Sequence, residues 1–119
     1  MLAYDAARNQ SVLFGGSATG AGLADTWVWT GAGWSPRAPA HSPPGRFGGA
    51  MAYDPTSQVI VLFGGFTGTP SNKPLRDTWI WDGSRWSPQM EDGSPSARSG
   101  SMMAYDHARG EVVLFGGKS

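Results

Sequence analysis

The sequence contains no cysteine, which excludes a disulfide framework, a thiolate metal site and a cysteine nucleophile. It also has no excess of either charge, since 9 Lys and Arg residues balance 9 Asp and Glu residues. A protein that binds nucleic acid or an anionic membrane needs a basic excess to offset the phosphate charge. We therefore expect neither of these partners.

Long apolar runs are absent as well. The longest run, residues 59–63, is short beside the roughly 20 residues of a membrane-spanning helix. Residues 1–5 show neither the basic start nor the apolar stretch of a signal peptide. We expect a soluble protein with no signal or membrane segment in this sequence, and the sequence indicates no particular compartment.

Glycine and aromatic residues are abundant. The 119 residues include 18 Gly, 9 Pro and 6 Trp, and 39% are hydrophobic, an aromatic load that a disordered chain does not carry. Dense glycine together with dense aromatics favours many short strands joined by tight turns. Gly or Pro interrupts every window long enough for a helix, so the predicted fold class is all-β.

An internal repeat organises the chain. A short segment ending in Ala-Tyr-Asp occurs three times, around Tyr4, Tyr53 and Tyr105, so successive repeats are offset by 49 and 52 residues. An apolar run ending in Leu-Phe-Gly-Gly follows each segment. The glycine doublets are Gly15, Gly16, Gly64, Gly65, Gly116 and Gly117. We expect them to permit a bulge or a close backbone approach at a strand end.

A second block follows in the first two repeats. Asp-Thr-Trp-x-Trp begins at Asp25 and Asp77, and Trp-Ser-Pro follows five residues after its last tryptophan. The six tryptophans are thus three positions used twice: Trp27, Trp29, Trp34, Trp79, Trp81 and Trp86. Because each repeat needs large side chains at the same positions, we expect the tyrosines and tryptophans to pack between units rather than to stack on a sugar. Arg46 and Arg98 each introduce a repeat, and with the two aspartates they are expected to bond loop backbone or bridge units.

Each unit is predicted to contain four strands. The Ala-Tyr segment is the first, and the second (11–14, 59–63 or 111–115) is apolar on consecutive residues, which predicts that both of its faces are buried. Asp-led hairpin turns join these two strands. The third strand carries Trp-x-Trp and the fourth begins at Trp-Ser-Pro. The predicted long loops are residues 17–24, 66–76, 37–45 and 89–97.

This pattern of apolar strand, Gly-Gly, variable loop, Asp-x-Trp-x-Trp, Trp and Pro-x-x-Arg-x-Gly resembles the kelch repeat, and the period of about 50 agrees. The resemblance covers essentially the whole chain. It implies a β-propeller of four-stranded antiparallel blades around a central channel, with the first strand innermost. It also implies that the loops between the second and third strands share a face with the loops between units.

The ring is incomplete in this chain. Residues 1–36 and 46–88 form two predicted blades and residues 98–117 half a blade, whereas propellers have about 4–8 blades. The end blades would leave apolar faces exposed. We therefore expect either a homo-oligomer that completes the ring or the remainder of a longer propeller.

Residues that do not repeat are the candidates for specificity, because function on such a scaffold lies in its loops. They are expected to line one binding surface for a protein or glycan ligand. These loop candidates are Arg37, His41, Phe66, Thr67, Asn72, Lys73 and Arg76.

No catalytic group or cofactor is predicted. His41 and His107 fall in different kinds of loop without a metal-ligand spacing, and no nucleophile, base and orienter occur together. The favoured function is a non-catalytic interaction or ligand-binding scaffold. The alternative is a fragment of a propeller enzyme, either sugar-processing or resembling galactose oxidase, or a glycan-binding propeller. The copper site of the galactose-oxidase family uses a tyrosine crosslinked to a cysteine, and this chain has no cysteine.

Overall fold

The computed structural model describes residues 1–90 and 92–119. Glu91, in the predicted 89–97 loop, lies outside the described residues. The described chain is all-β with antiparallel sheets, which confirms the predicted fold class at this level. Its strands are β1 Leu2–Asp5, β2 Gln10–Phe14, β3 Ser17–Ala18, β4 Ala21–Gly22, β5 Thr26–Trp29, β6 Trp34–Arg37, β7 Ala50–Asp54, β8 Val59–Phe66, β9 Pro74–Trp81, β10 Trp86–Gln89, β11 Met102–Asp106 and β12 Glu111–Phe115.

Two four-stranded sheets and a hairpin follow one another along the chain. The first sheet has the order β1-β2-β5-β6, the second sheet has the order β7-β8-β9-β10, and the C-terminal hairpin is β11-β12. The register is the same in all three: Leu2 lies opposite Leu13, Met51 opposite Leu62, and Met103 opposite Leu114. Equivalent sequence positions therefore occupy equivalent places in the structure.

The aspartate that ends the first strand of each unit builds the turn that follows. Asp5, Asp54 and Asp106 each accept two backbone N–H groups, from the residues two and three positions later, at 2.9–3.3 Å. The fifth turn residue is left-handed in each case, with φ of 55°, 56° and 67°. Those residues are Asn9, Gln58 and Gly110. Because short-range hydrogen bonds alone can form this turn, it can be predicted from the sequence.

The core lies between the first and second sheets. The first sheet contributes Val12, Phe14 and Val28, and the second contributes Ile60, Leu62, Trp81 and Trp86. The Trp86 indole lies edge-on to Phe14, with ring centroids 5.2 Å apart. Its Nε1 donates a hydrogen bond to Thr26 Oγ1 at 3.0 Å across the sheet-to-sheet interface. The two sheets thus pack face to face through one specific polar contact within an apolar layer.

The predicted loops are shorter than expected. The predicted loop 17–24 contains the β3–β4 hairpin, and Arg37, Phe66 and Arg76 lie in strands β6, β8 and β9 rather than in loops. Contacts that are distant in sequence cause these differences. Gly22 N donates to Thr67 O at 3.0 Å, which supports β4, and Phe66 extends β8 by pairing with Phe47.

Burial of both faces of the second strand is wrong for the last unit. In β12 the side chains alternate between partly buried and exposed, and Val113 and Phe115 are 50% and 73% exposed. The C-terminal hairpin has the second sheet on one side only. Within the described residues, the consecutive apolar side chains of β12 are therefore covered on one face only.

Among the described residues, no helix is long and apolar enough to cross a membrane.

Candidate functional site

Arg46 lies at the junction between the first and second sheets, and its side chain is completely buried. Its Nη1 and Nη2 donate to the two carboxylate oxygens of Asp77 at 2.6 and 2.8 Å, and Nη1 also donates to Gly64 O at 3.0 Å. Trp79 Nε1 donates to the same carboxylate at 2.8 Å. Burial raises the pKa of Asp77, but the hydrogen bonds from Arg46 and Trp79 and the charge of Arg46 outweigh it. The net result is a pKa below the usual range, so Asp77 is an anion that binds its arginine in the fork geometry.

The backbone of Arg46 is held by the other sheet. Its N–H donates to Leu23 O at 3.0 Å, and its carbonyl accepts from Gly16 N at 2.9 Å. A Cβ on Gly15 would collide with that same Arg46 carbonyl oxygen, and Gly15 has a φ of 70°. The glycine doublet thus permits the close approach, and Arg46 joins the first sheet through its backbone to the second sheet through its side chain.

Beside this arginine, the inter-unit segment pairs with the end of β8. Phe47 and Phe66 exchange two backbone hydrogen bonds at 3.0 and 2.8 Å, and their rings lie edge to face with centroids 5.6 Å apart. The next unit repeats the same backbone bridge between Ser99 and Lys118, at 2.9 and 2.7 Å. The backbone is therefore repeated while the side chains change from two phenylalanines to a serine and a lysine.

A cavity of about 540 Å³ lies between these two bridges. Its lining includes both residue pairs of the bridges, and also Asn72. It combines an aromatic surface, an amide, a hydroxyl and an ammonium group. An arrangement of this kind suits a ligand that presents an apolar group next to an anionic or hydrogen-bond-accepting group.

The loop that carries Asn72 is fixed by its own hydrogen bonds. Lys73 N donates to Thr67 Oγ1 and Thr67 N to Lys73 O, both at 2.9 Å. Asn72 is left-handed, with φ of 51°, and its N–H donates to Gly68 O at 2.7 Å. The β3–β4 hairpin supports the loop from behind, since Thr69 N donates to Gly20 O at 3.0 Å. Asn72, a lining residue of the cavity, therefore lies in a loop whose backbone is closed by hydrogen bonds.

The structure separates the sequence-derived loop candidates into two groups. Within the part of the chain that the structure describes, Phe66 and Asn72 line the cavity, whereas Arg37, His41, Thr67, Lys73 and Arg76 do not. Arg76 instead reaches the following inter-unit segment, where Nη2 donates to Ser94 O at 3.3 Å. Arg37 and His41 are exposed.

The lining residues that sequence reasoning missed include Phe47, Ser99 and Lys118. Phe47 and Ser99 directly follow the repeated arginines Arg46 and Arg98, and Lys118 directly follows a glycine doublet, as Phe66 does. The missed signal was a change of residue type at a position fixed by its repeated neighbours.

The histidines and the other potential metal ligands do not form a cluster among the described residues. His107 lies edge to face with Tyr105, with ring centroids 4.9 Å apart. No group of three His, Asp or Glu side chains that could hold a metal ion occurs in residues 1–90 and 92–119. The cavity is the place where the described residues bring non-repeated side chains of different chemistry together.

Comparison with known proteins adds no assignment. The chain matches no protein-family model. It also matches none of the curated protein sequences.

Proposed function

We propose that the chain is part of a kelch-type β-propeller and serves as a non-catalytic interaction module. The proposal is supported by the kelch-like repeat pattern together with two successive four-stranded antiparallel sheets that pack face to face. The first strands of successive units are neighbours, as β7 contacts both β1 and β11. Such an order suits first strands that surround a central axis.

The proposed ligand is a segment of another protein, bound in the cavity between the two backbone bridges. The observation that carries this proposal is the change of side chains on a repeated backbone, from Phe47–Phe66 to Ser99–Lys118. A position that served only to hold the units together would need the same side chains in each unit. Varied side chains around a cavity are expected where a ligand selects them.

The chemistry of the cavity specifies the peptide. An apolar side chain fits against the edges of Phe47 and Phe66, and an acidic side chain two or three residues away would reach the Lys118 ammonium group. Asn72 and Ser99 supply hydrogen bonds to the peptide backbone. We therefore expect short extended sequences that combine a bulky apolar residue with Asp or Glu.

Selection from a random peptide display library on the full chain, at a concentration where the chain is a monomer, tests this proposal. We expect enrichment of sequences with that combination, and loss of at least tenfold in affinity for the selected peptide in Phe66→Ala and in Lys118→Glu. Arg85→Ala is the control, because Arg85 lies in the β9–β10 turn at the opposite end of the strands and is exposed. Unchanged affinity in both cavity variants would refute the site. Enrichment of oligosaccharides on a glycan array without any selected peptide would refute the ligand class.

A further inference from the structure

The outer face of the first sheet repeats a face that is buried in the second sheet. Trp81 and Trp86 pack together with centroids 5.4 Å apart and are each 1% exposed. Their counterparts Trp29 and Trp34 have the same centroid distance of 5.4 Å but are 39% and 47% exposed. The two pairs have the same arrangement but differ in burial. The first sheet therefore has the same packing face as the second sheet, and among the described residues no other sheet covers it.

The second sheet shows what covers such a face. Trp86 is covered by the opposite face of the first sheet, which presents Phe14 and Thr26. The equivalent positions of the second sheet are Phe63 and Thr78. These two residues line a cavity of about 200 Å³ beneath the C-terminal hairpin. The two-stranded hairpin therefore fills only part of a surface that a four-stranded sheet would fill.

A charged residue accompanies each of these two faces, Asp25 for the first sheet and Arg98 for the second. Asp25 accepts a hydrogen bond from Trp27 Nε1 at 2.7 Å, as Asp77 does from Trp79, but among the described residues it has no arginine partner. Arg98 donates to Gly116 O at 3.0 Å, as Arg46 does to Gly64 O, but within residues 1–90 and 92–119 it has no carboxylate partner.

The backbone of Arg98 already occupies the bridging position. Its N–H donates to Leu75 O and its carbonyl accepts from Gly65 N, both at 2.9 Å, as Arg46 is bonded to Leu23 and Gly16. A sheet that docked on the second sheet in the way the second sheet docks on the first would bring its third-strand aspartate to the Arg98 guanidinium. In this chain, the free sheet with such an aspartate is the first sheet.

We propose that copies of this chain associate head to tail, with the first sheet of one copy docked on the second sheet of the next. The β1–β2 strands of the incoming copy take the place of β11–β12, which have the same sequence pattern and register. Exchange of one element for an equivalent one is a known route to oligomers. Arg98 then pairs with Asp25 of the incoming copy, and Trp34 Nε1 of that copy donates to Thr78 Oγ1. The proposal rests on the repeat units of the proposed function but not on its peptide ligand.

Ring closure limits the number of copies. Each copy contributes two complete four-stranded sheets, and closed propellers contain about 4–8 of them. Two, three or four copies satisfy this range. A docked four-stranded sheet also buries the Trp29–Trp34 pair and fills the space that the hairpin leaves on the second sheet. It should therefore bind this face more favourably than the two-stranded hairpin does.

Charge reversal in the full chain tests the proposed contact. By sedimentation velocity, the unaltered chain is expected to have the mass of two to four copies. Asp25→Arg and Arg98→Asp should each weaken association at least tenfold, and the double variant should recover association to within a few-fold, because every interface then regains one opposite pair. Arg85→Asp is the matched control, since Arg85 is exposed in the β9–β10 turn and its ion-pair partner is Asp82 of the same turn, and it should leave the mass unchanged.

A third variant addresses the apolar face. Trp34→Ser removes an exposed side chain, so it should abolish association while the circular dichroism spectrum stays that of the folded chain. A monomer at all concentrations, or association that survives both Asp25→Arg and Trp34→Ser, would overturn the proposal. A monomer that still binds the selected peptide would overturn only this proposal. Because the exchange displaces the hairpin that leads to Lys118, peptide binding is measured on the monomeric Trp34→Ser variant, and its absence there would overturn only the proposed ligand.

Discussion

One tryptophan position of the repeat occurs in two environments, buried in the second sheet and partly exposed in the first. Trp86 and Trp34 occupy the same place in their sheets, at the start of β10 and β6, and each lies opposite the last tryptophan of the neighbouring strand. Trp86 is covered by the first sheet and Trp34 is 47% exposed. Replacing each by phenylalanine keeps an aromatic ring at both positions, so the two losses of stability differ only through cover.

The magnitudes follow from the contacts. Trp86→Phe removes the Nε1 donor and leaves the buried Thr26 hydroxyl without it, which costs about 1–2 kcal/mol. The missing ring atoms leave a void that costs about 1 kcal/mol more. The total is about 2–3 kcal/mol, which a domain stable by about 5–15 kcal/mol survives. Trp34→Phe places its change beside solvent and should cost less than about 0.5–1 kcal/mol.

Urea unfolding followed by far-ultraviolet circular dichroism measures both losses, because the transition midpoint, unlike the amplitude of the signal, can be compared between variants that differ in one tryptophan. The transition midpoint should fall clearly in Trp86→Phe and little in Trp34→Phe, with an unchanged dependence of the unfolding free energy on urea. The experiment belongs at a protein concentration where the chain is monomeric, since association would cover Trp34. Equal losses in the two monomeric variants would refute the assignment of one face as covered and its counterpart as open.

Three further predictions concern the junction between sheets. Arg46→Ala should destabilise the fold by about 2–4 kcal/mol in urea unfolding, because the buried guanidinium joins Asp77 to Gly64. Arg98→Ala should cost less than about 1 kcal/mol in the monomer. Similar losses in the two variants would contradict the bridging role of Arg46. Because the folded pKa of Asp77 lies below its unfolded value of about 3.9, the stabilisation from this carboxylate should be complete above that pH and disappear as the pH falls through the folded pKa. The stability gap between the unaltered chain and Asp77→Asn should therefore narrow below about pH 4, and a gap constant with pH would contradict this. Gly15→Ala should cost at least about 2 kcal/mol by the same unfolding assay, because a Cβ at Gly15 meets the Arg46 carbonyl oxygen and the φ of 70° is left-handed; a cost below about 1 kcal/mol would show that the close approach is unimportant.

Features set by neighbours along the chain could be predicted from the sequence. The Asp5 turn needs only an aspartate and the backbone N–H groups two and three residues later, and the same pattern returns at Asp54 and Asp106. The alternation around Trp27 and Trp29 is likewise local, so the strand and its faces follow from a period of two.

Features set by contacts across the fold could not be predicted in this way. The pairing of Arg46 with Asp77 spans 31 residues, and the repeat showed only that each position recurs. The β3–β4 hairpin depends on the hydrogen bonds that join Gly20 to Thr69 and Gly22 to Thr67 in the β8–β9 loop, so its own sequence reads as a loop. For the cavity, the sequence indicated Phe66 and Asn72 but not Phe47, because nothing local shows that it pairs with Phe66.

The Trp29–Trp34 face of the first sheet is the proposed packing surface for another four-stranded sheet of the same kind. Sedimentation of the full chain over a wide concentration range, with the Asp25→Arg and Arg98→Asp variants run beside it, measures whether another copy covers this face. We expect a mass of two to four copies that each single reversal lowers and the double reversal restores. A monomeric mass throughout, or an oligomer indifferent to all three variants, would contradict this proposal.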